Sequence, residues 1–171
     1  MVPMQDLPKA DSPDLHLVLA TPAEILQQLH HNSEEWRGAL TLEAYLRREE
    51  VLSSQELTKD GGLTSWMLVQ GEGQNRLVLC GCESIRKKAL IAGSGAQGVE
   101  EVACHGVASV FTAHEFRGRG YAGRMMQELG PRLKEWDARG KRVLLSVLFS
   151  DIGKVDYFTR TQASKKRVQE S

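Results

Sequence analysis

The chain has 171 residues, 41% of them hydrophobic and 26% charged, with 22 basic residues balanced by 22 acidic ones. That length suits one domain around a single core, and the even charge favours neither nucleic acid nor an anionic membrane surface as a partner. No apolar run approaches the ~20 residues that cross a bilayer, and Cys80, Cys82 and Cys104 form no spaced disulfide framework, so a soluble, cytoplasmic protein with reduced thiols is expected.

Residues 1–14 carry Pro3, Pro8 and Pro13 and little apolar content, and read as a flexible leader rather than a cationic and then apolar signal. Leu15 to Ala20 reads as a strand. It runs into Thr21-Pro22-Ala23-Glu24, where a threonine cap, a proline at the first helical position and a glutamate three residues after the cap predict a helix start. That helix carries Ile25, Leu26 and Leu29, and a second helix is predicted from Thr41 through Leu52, with Leu42, Tyr45 and Leu46 on one face. Leu63 to Gln70 and Leu77 to Ile85 flank a Gly- and Asn-rich turn and predict an antiparallel hairpin, with a further strand over Lys87 to Ala92. Gly93 to Gly98 reads as a connection, and Val107 to Thr112 as the next strand, with Glu100 and Glu101 in the loop before it.

Ala122, Met125, Met126, Leu129, Leu133 and Trp136 recur every three or four residues and predict an amphipathic helix. Pro131 predicts a kink or break near Gly130, because proline removes a helical hydrogen bond, and Gly140 is the expected stop. Val143 to Phe149 is nearly all apolar, as a strand covered on both faces would be. The last strand, helix and strand form a β-α-β unit in an otherwise mostly antiparallel sheet flanked by helices, so the predicted class is mixed α/β.

Arg117-Gly118-Arg119-Gly120-Tyr121-Ala122-Gly123 lies between the fourth strand and the long helix. A helix N-terminus offers unpaired N–H groups and partial positive charge, and glycines admit a ligand close to the backbone, so the turn suits a phosphate. A tight turn with solvated arginines fits the same residues. Gly118, Gly120 and Gly123 also satisfy the GxGxxG fingerprint of a dinucleotide-binding oxidoreductase. Against it, His114 to Arg117 separate the glycines from the strand, no acid ends the following strand, and there is no second β-α-β unit.

Arg117-x-x-Gly120-x-Ala122 resembles motif A of the GCN5-related N-acetyltransferases. The ordered set Cys82-Glu83-Ser84, Ser109 to Thr112, Glu115 to Met126 and Ser150 to Gly153 is similar to the fungal branch of lysine N6-acetyltransferases of lysine catabolism. The resemblance spans roughly residues 63–154 and implies an acetyltransferase domain over 15–154, with acetyl-CoA as co-substrate. It implies that the backbone of Val110, Phe111 and Thr112 pairs with the pantetheine arm. The segment Arg117, Gly118, Arg119, Gly120, Tyr121 and Ala122 would then hold the pyrophosphate. The expected acceptor is a small-molecule primary amine, such as the N6 amine of lysine.

Transfer requires a neutral amine, whereas a free lysine ammonium titrates near ~10.4, so a base must take its proton. His105 and Glu83 are the candidates, although a lone strand histidine is equally a packed core residue. Tyr157 is the candidate acid for the departing thiolate; its surroundings, Asp156-Tyr157-Phe158-Thr159, lack the family's glycine-aromatic ending. A metal site from Cys80, Cys82, Cys104 and His105 is disfavoured, since Cys-x-Cys on a strand lacks zinc spacing, and no metal is expected. Residues 155–171 read as a divergent polar tail where the family continues into further strands, so the C-terminal strands are expected to be missing. The alternatives are a truncated, non-catalytic acetyl-CoA-binding protein and, less favoured, the oxidoreductase.

Overall fold

A computed structural model of the chain describes residues 7–73, 75–92 and 98–148. Strand β1 (Leu15–Leu19) buries Leu15 and Leu17 and delivers the chain to Thr21. The Thr21 hydroxyl accepts from the Glu24 amide, and Glu24 accepts from the Thr21 amide at 2.7 Å. This reciprocal cap satisfies donors that a helix start leaves orphaned and opens α1 (Pro22–Trp36). Thr41 caps α2 (Leu42–Ser53) through one bond, its hydroxyl accepting from the Ala44 amide. Among the described residues, no helix is long and apolar enough to cross a membrane.

Three strands follow as an antiparallel meander: β2 (Leu63–Gln70), β3 (Leu77–Ala92) and β4 (Val99–Phe111). Helix α3 (Tyr121–Leu133) then crosses to β5 (Val143–Leu148), which pairs parallel to β4. Among the described residues, the five strands lie in the order β1-β2-β3-β4-β5, a mixed α/β sheet with one parallel pair.

Because side chains alternate across a strand and directly paired residues share a face, the register sorts the sheet. Trp66 opposite Cys82, Ser84 opposite Val107 and Arg86 opposite His105 define one face. Tyr121, Met125, Leu129 and Leu133 of α3 cover it and make the main core with Leu15, Leu17, Trp66 and Leu68. Met67 opposite Gly81 and Ser65 opposite Glu83 define the other face, over which α1 lies.

Several sequence expectations change here. The two strands predicted over 77–92 are one, and β4 begins at Val99, so Glu100 and Glu101 lie on a strand. There Glu100 pairs with Arg142, and Glu101 with Lys141 and Lys88. Helix α3 runs through Gly130 and Pro131 without the expected break and ends at Leu133, well before Gly140. Beyond the helix, Asp137 and Arg139 adopt left-handed backbone. Trp136, beyond the helix, still packs edge-on against Trp66 at 4.9 Å and donates to Thr64 Oγ1 at 3.2 Å. Strand β5 is not covered on both faces: Leu144 and Leu145 are 41% and 42% exposed at the edge of the sheet. Residues 7–14 are not a loose leader either. Leu7 enters the core, the Pro8 carbonyl accepts from the Tyr121 hydroxyl at 2.5 Å, and the Ala10 carbonyl accepts from Arg124 at 3.1 Å.

Candidate active site

Strand β4 changes character at Ser109. Gly81 faces Phe111 and Glu83 faces Ala108, so two steps along β3 match three along β4. The extra residue is a bulge, which bends a strand and leaves ladder groups unpaired. Ser109 takes φ 52, an uncommon conformation for a residue with a side chain. Two side chains hold it there: its hydroxyl donates to Glu83 Oε2 at 2.6 Å, and its carbonyl accepts from Gln28 Nε2 at 3.5 Å. On the far side β5 pairs with β4 only from Ala103 to Val107. From Ala108 to Thr112 the outer edge of β4, which includes Val110, Phe111 and Thr112, therefore has no partner strand among the described residues. Such an edge is a template for an extended ligand backbone.

That edge leads directly into the glycine turn. After a short 3-10 turn (His114–Phe116), Gly118 and Gly120 adopt φ 77 and 85, values open to glycine at little steric cost, and Gly120 starts α3 without a side-chain cap. Among the described residues, the amides of Tyr121, Ala122 and Gly123 have no hydrogen-bond partner. A helix start with open amides at the end of an open strand edge is arranged to take a diphosphate carrying an extended arm. Arg117 turns back from this seat. Its guanidinium donates to the Thr112 carbonyl at 2.9 Å and to Glu35 at 2.8 Å, and stacks 5.3 Å over the Phe111 ring. It thereby ties α1 to the end of β4. Arg119 stands half-buried between the two glycines.

Glu83 and His105 are separated by the sheet. Glu83 lies on the α1 face against Ser109; burial is the main cause that pushes its carboxyl pKa up, Glu49 of α2 adds to the rise, and the Ser109 hydrogen bond opposes it. His105 is 1% exposed on the α3 face, with Nε2 3.0 Å from the Trp136 carbonyl. Burial lowers its pKa, so the ring is neutral and sealed off from the open edge. Tyr157 lies outside the described residues. The cysteines do not converge: Cys80 and Cys82 face α3, where burial holds the Cys80 thiol at about 12, and Cys104 points to the opposite face. No group of three metal-ligating side chains occurs among the described residues.

Ser109 and Gln28 are the site residues that sequence reasoning leaves without a role. A bulge is not legible in the apolar pattern of Val107 to Thr112. Gln28 did leave a trace: with Asn32 it places two amide side chains one turn apart on α1. The helix buries both, while Leu26 is exposed.

No family model matches the chain. Over 111 residues, 65% of its length, it is 27% identical to a lysine acetyltransferase of Yarrowia lipolytica. The match spans about a quarter (27%) of that relative. Among solved structures it is similar to the glucosamine-6-phosphate N-acetyltransferase of Arabidopsis thaliana, with TM-score 0.55, 13% identity, and coverage of 92% of this chain and 96% of that one. It is likewise similar to a predicted acetyltransferase with acetyl-CoA from Clostridium acetobutylicum, with TM-score 0.55, 12% identity, and coverage of 92% and 94%. At these identities the likeness is one of fold. It also removes the oxidoreductase alternative, whose parallel doubly wound sheet is incompatible with a sheet holding one parallel pair.

Proposed function

We propose, for a chain that carries the fold of the GCN5-related N-acetyltransferases, that it moves the acetyl group of acetyl-CoA to a primary amine, the N6 amine of lysine or of a similar small molecule. The observation that carries this reading is the continuous path from the edge of β4 at Ala108 to Thr112, unpaired among the described residues, into the amides at the start of α3 that likewise have no partner among them. The pantetheine amides pair with Val110, Phe111 and Thr112, while Gly118, Gly120, Tyr121 and Ala122 offer backbone N–H groups to the diphosphate, with Arg119 beside them. Arg117 contributes by fixing the end of β4 rather than by direct contact.

In the transfer, the amine nitrogen attacks the thioester carbonyl, the C–N bond forms and the C–S bond breaks. The ammonium first gives a proton to a base, and the leaving thiolate takes one from an acid or from water. Glu83 is the base in this reading. Its raised pKa brings it closer to the amine it must deprotonate, and the Ser109 hydroxyl fixes one of its oxygens. The similarity to a lysine acetyltransferase supports lysine as acceptor. A second reading, acetyl-CoA binding without transfer, is favoured by Leu144 and Leu145, left exposed on the edge strand β5.

Isothermal titration with acetyl-CoA, followed by a coenzyme A release assay over a panel of amines, tests both. Binding with lysine-dependent thiol release, lost in Glu83→Gln, is the expected result. Binding with no release by any amine selects the second reading, and no affinity for acetyl-CoA overturns both.

A further inference from the structure

Residues 7–14 come before β1 and are fastened to the start of α3. Leu7 is 9% exposed and joins the core cluster that holds Tyr121. The Pro8 carbonyl accepts from the Tyr121 hydroxyl at 2.5 Å, and the Ala10 carbonyl accepts from the Arg124 guanidinium at 3.1 Å. Between these ties the Ala10 methyl lies against Gly120, where an added Cβ would sit 3.4 Å from it. A turn shapes the segment from within, the Ser12 amide donating to the Lys9 carbonyl at 3.0 Å. The result is a strap across the residues that open the helix.

The turn under the strap lacks the usual local supports. Gly120 stands at φ 85 and has the widest backbone freedom of any residue, no side chain caps the helix, and no acid in its first turn complements the dipole. Tertiary contacts must therefore hold the amides of Tyr121, Ala122 and Gly123 in one direction. Arg124 is the residue best placed to do so. Its amide donates to the Gly120 carbonyl at 3.0 Å and closes the first turn, while its guanidinium reaches both the Ala10 carbonyl and, through Nε at 2.5 Å, Glu128 Oε1. The other oxygen of Glu128 accepts from the Leu17 amide of β1 at 3.1 Å. One arginine–glutamate pair, a turn apart on α3, thus clasps the strap and the first strand to the helix. Their side chains are 24% and 29% exposed, so solvent screens the pair less than a fully exposed one.

Resting on the acetyl-CoA reading of the α3 turn, we propose that Arg124 is a positioning residue for coenzyme A that acts through residues 7–14. The strap holds Gly120 and Tyr121 so that the amides from Tyr121 to Gly123 converge on the diphosphate. Binding of the diphosphate steadies the strap in return, because coupling between two sites is reciprocal. Arg124 does not contact the phosphates; its guanidinium is committed to the Ala10 carbonyl and to Glu128.

The test compares Arg124→Met, which keeps the aliphatic stem and removes both hydrogen bonds, with Tyr121→Phe, which removes the tie to Pro8 without a change of charge and keeps the Tyr121 amide. Isothermal titration is expected to show the Kd for acetyl-CoA raised roughly tenfold in the first, for a lost bond from a charged donor, and about fivefold in the second, for a lost neutral one. Hydrogen exchange gives a readout that a merely structural contact would not move: acetyl-CoA should slow the Ser12 and Leu15 amides of the parent, and not those of Arg124→Met. A rise in Arg124→Met alone would mean that the arginine acts as a charge on the phosphates, and overturns the assignment. So does an unchanged Kd in both variants with a lower melting temperature, since the strap would then serve only the fold. Should Arg124→Met fail to fold, Tyr121→Phe decides by itself, a raised Kd supporting the strap and an unchanged one removing it. A parent chain with no affinity for acetyl-CoA would sink the cofactor reading and the strap together, whereas a parent that binds beside variants that bind equally well leaves that reading intact.

Discussion

Glu83 is buried on β3 behind the Ser109 hydroxyl, and loss of water around its carboxylate is the largest influence on its pKa, outweighing the hydrogen bond that favours the charged form. Its pKa is thus higher in the folded chain than in the unfolded one. Between the two values the folded state binds more protons, so this residue's contribution to stability falls as pH rises from about 4.5 through the folded value. At neutral pH an ionised Glu83 is a cost to the fold. Glu83→Gln is therefore expected to raise the melting temperature at pH 7 while abolishing amine-dependent thiol release, and the gain should vanish at pH 4. Calorimetry at the two pH values, paired with the release assay, reads both effects; a variant destabilised at pH 7 would contradict the burial argument. That Glu83 and His105 cannot act together was not legible in the sequence. Both sit on strands beside a cysteine, and only the register, with Glu83 opposite Ser65 and His105 opposite Arg86, puts them on opposite faces.

Helix α1 is the element that brings Gln28 to the sheet, and a single ion pair fixes its first turn. Arg76 donates to both oxygens of Glu24 at 2.7 Å and to the Leu19 carbonyl at 2.9 Å, joining the start of the helix to β1 and to the entry of β3. The Arg76 hydrogen bonds are the main cause that lowers the Glu24 pKa to about 2 from 4.5, with the Thr21 cap contributing. A depressed acid stabilises the fold above its unfolded pKa and loses that contribution as pH falls through the folded value. Arg76→Ala should then cost on the order of 2–3 kcal/mol at pH 7, most of it gone by about pH 2. Urea unfolding of parent and variant across this range is the measurement, and a difference that does not depend on pH would disprove the coupling. The capping half of this anchor was readable as Thr21-x-x-Glu24, because a capping box is local. Its Arg76 partner, 52 residues away, was not. The same contrast runs through the other elements. The hairpin and the core face of α3 follow from period and turn residues. The end of α3 at Leu133, before Gly140, and the left-handed Asp137 and Arg139 that follow it are announced by no pattern, and the exposure of β5 depends on its place at the edge of the sheet.

On the scale of the whole molecule, β4 is a shared support that serves three tasks along its length. From Val99 to Val107 it is an interior strand, paired on one side with β3 and, from Ala103 on, with β5 on the other. At Ser109 it bulges toward Glu83 and Gln28, and from there to Thr112 it is paired on the β3 side at Phe111 but, among the described residues, open on the other. The bulge and the open edge are linked, since the extra residue bends the strand as β5 ends its pairing, and the chain then passes straight into the turn that starts α3. A ligand lying along this path adds a partner to amides that have none, and binding to the folded state alone stabilises it by about 2.7 kcal/mol at a hundred times Kd. Hydrogen exchange should therefore show fast exchange at the open positions between Val110 and Thr112 and at Tyr121 to Gly123 in the free protein. Coenzyme A should slow both groups together, while the β2–β3 ladder stays slow throughout. Protection confined to the α3 turn would mean that only the diphosphate is held and that the arm does not run along β4. Protection spread evenly over the whole sheet would indicate global stabilisation without a strand-like contact, and the edge would then lose its assigned role.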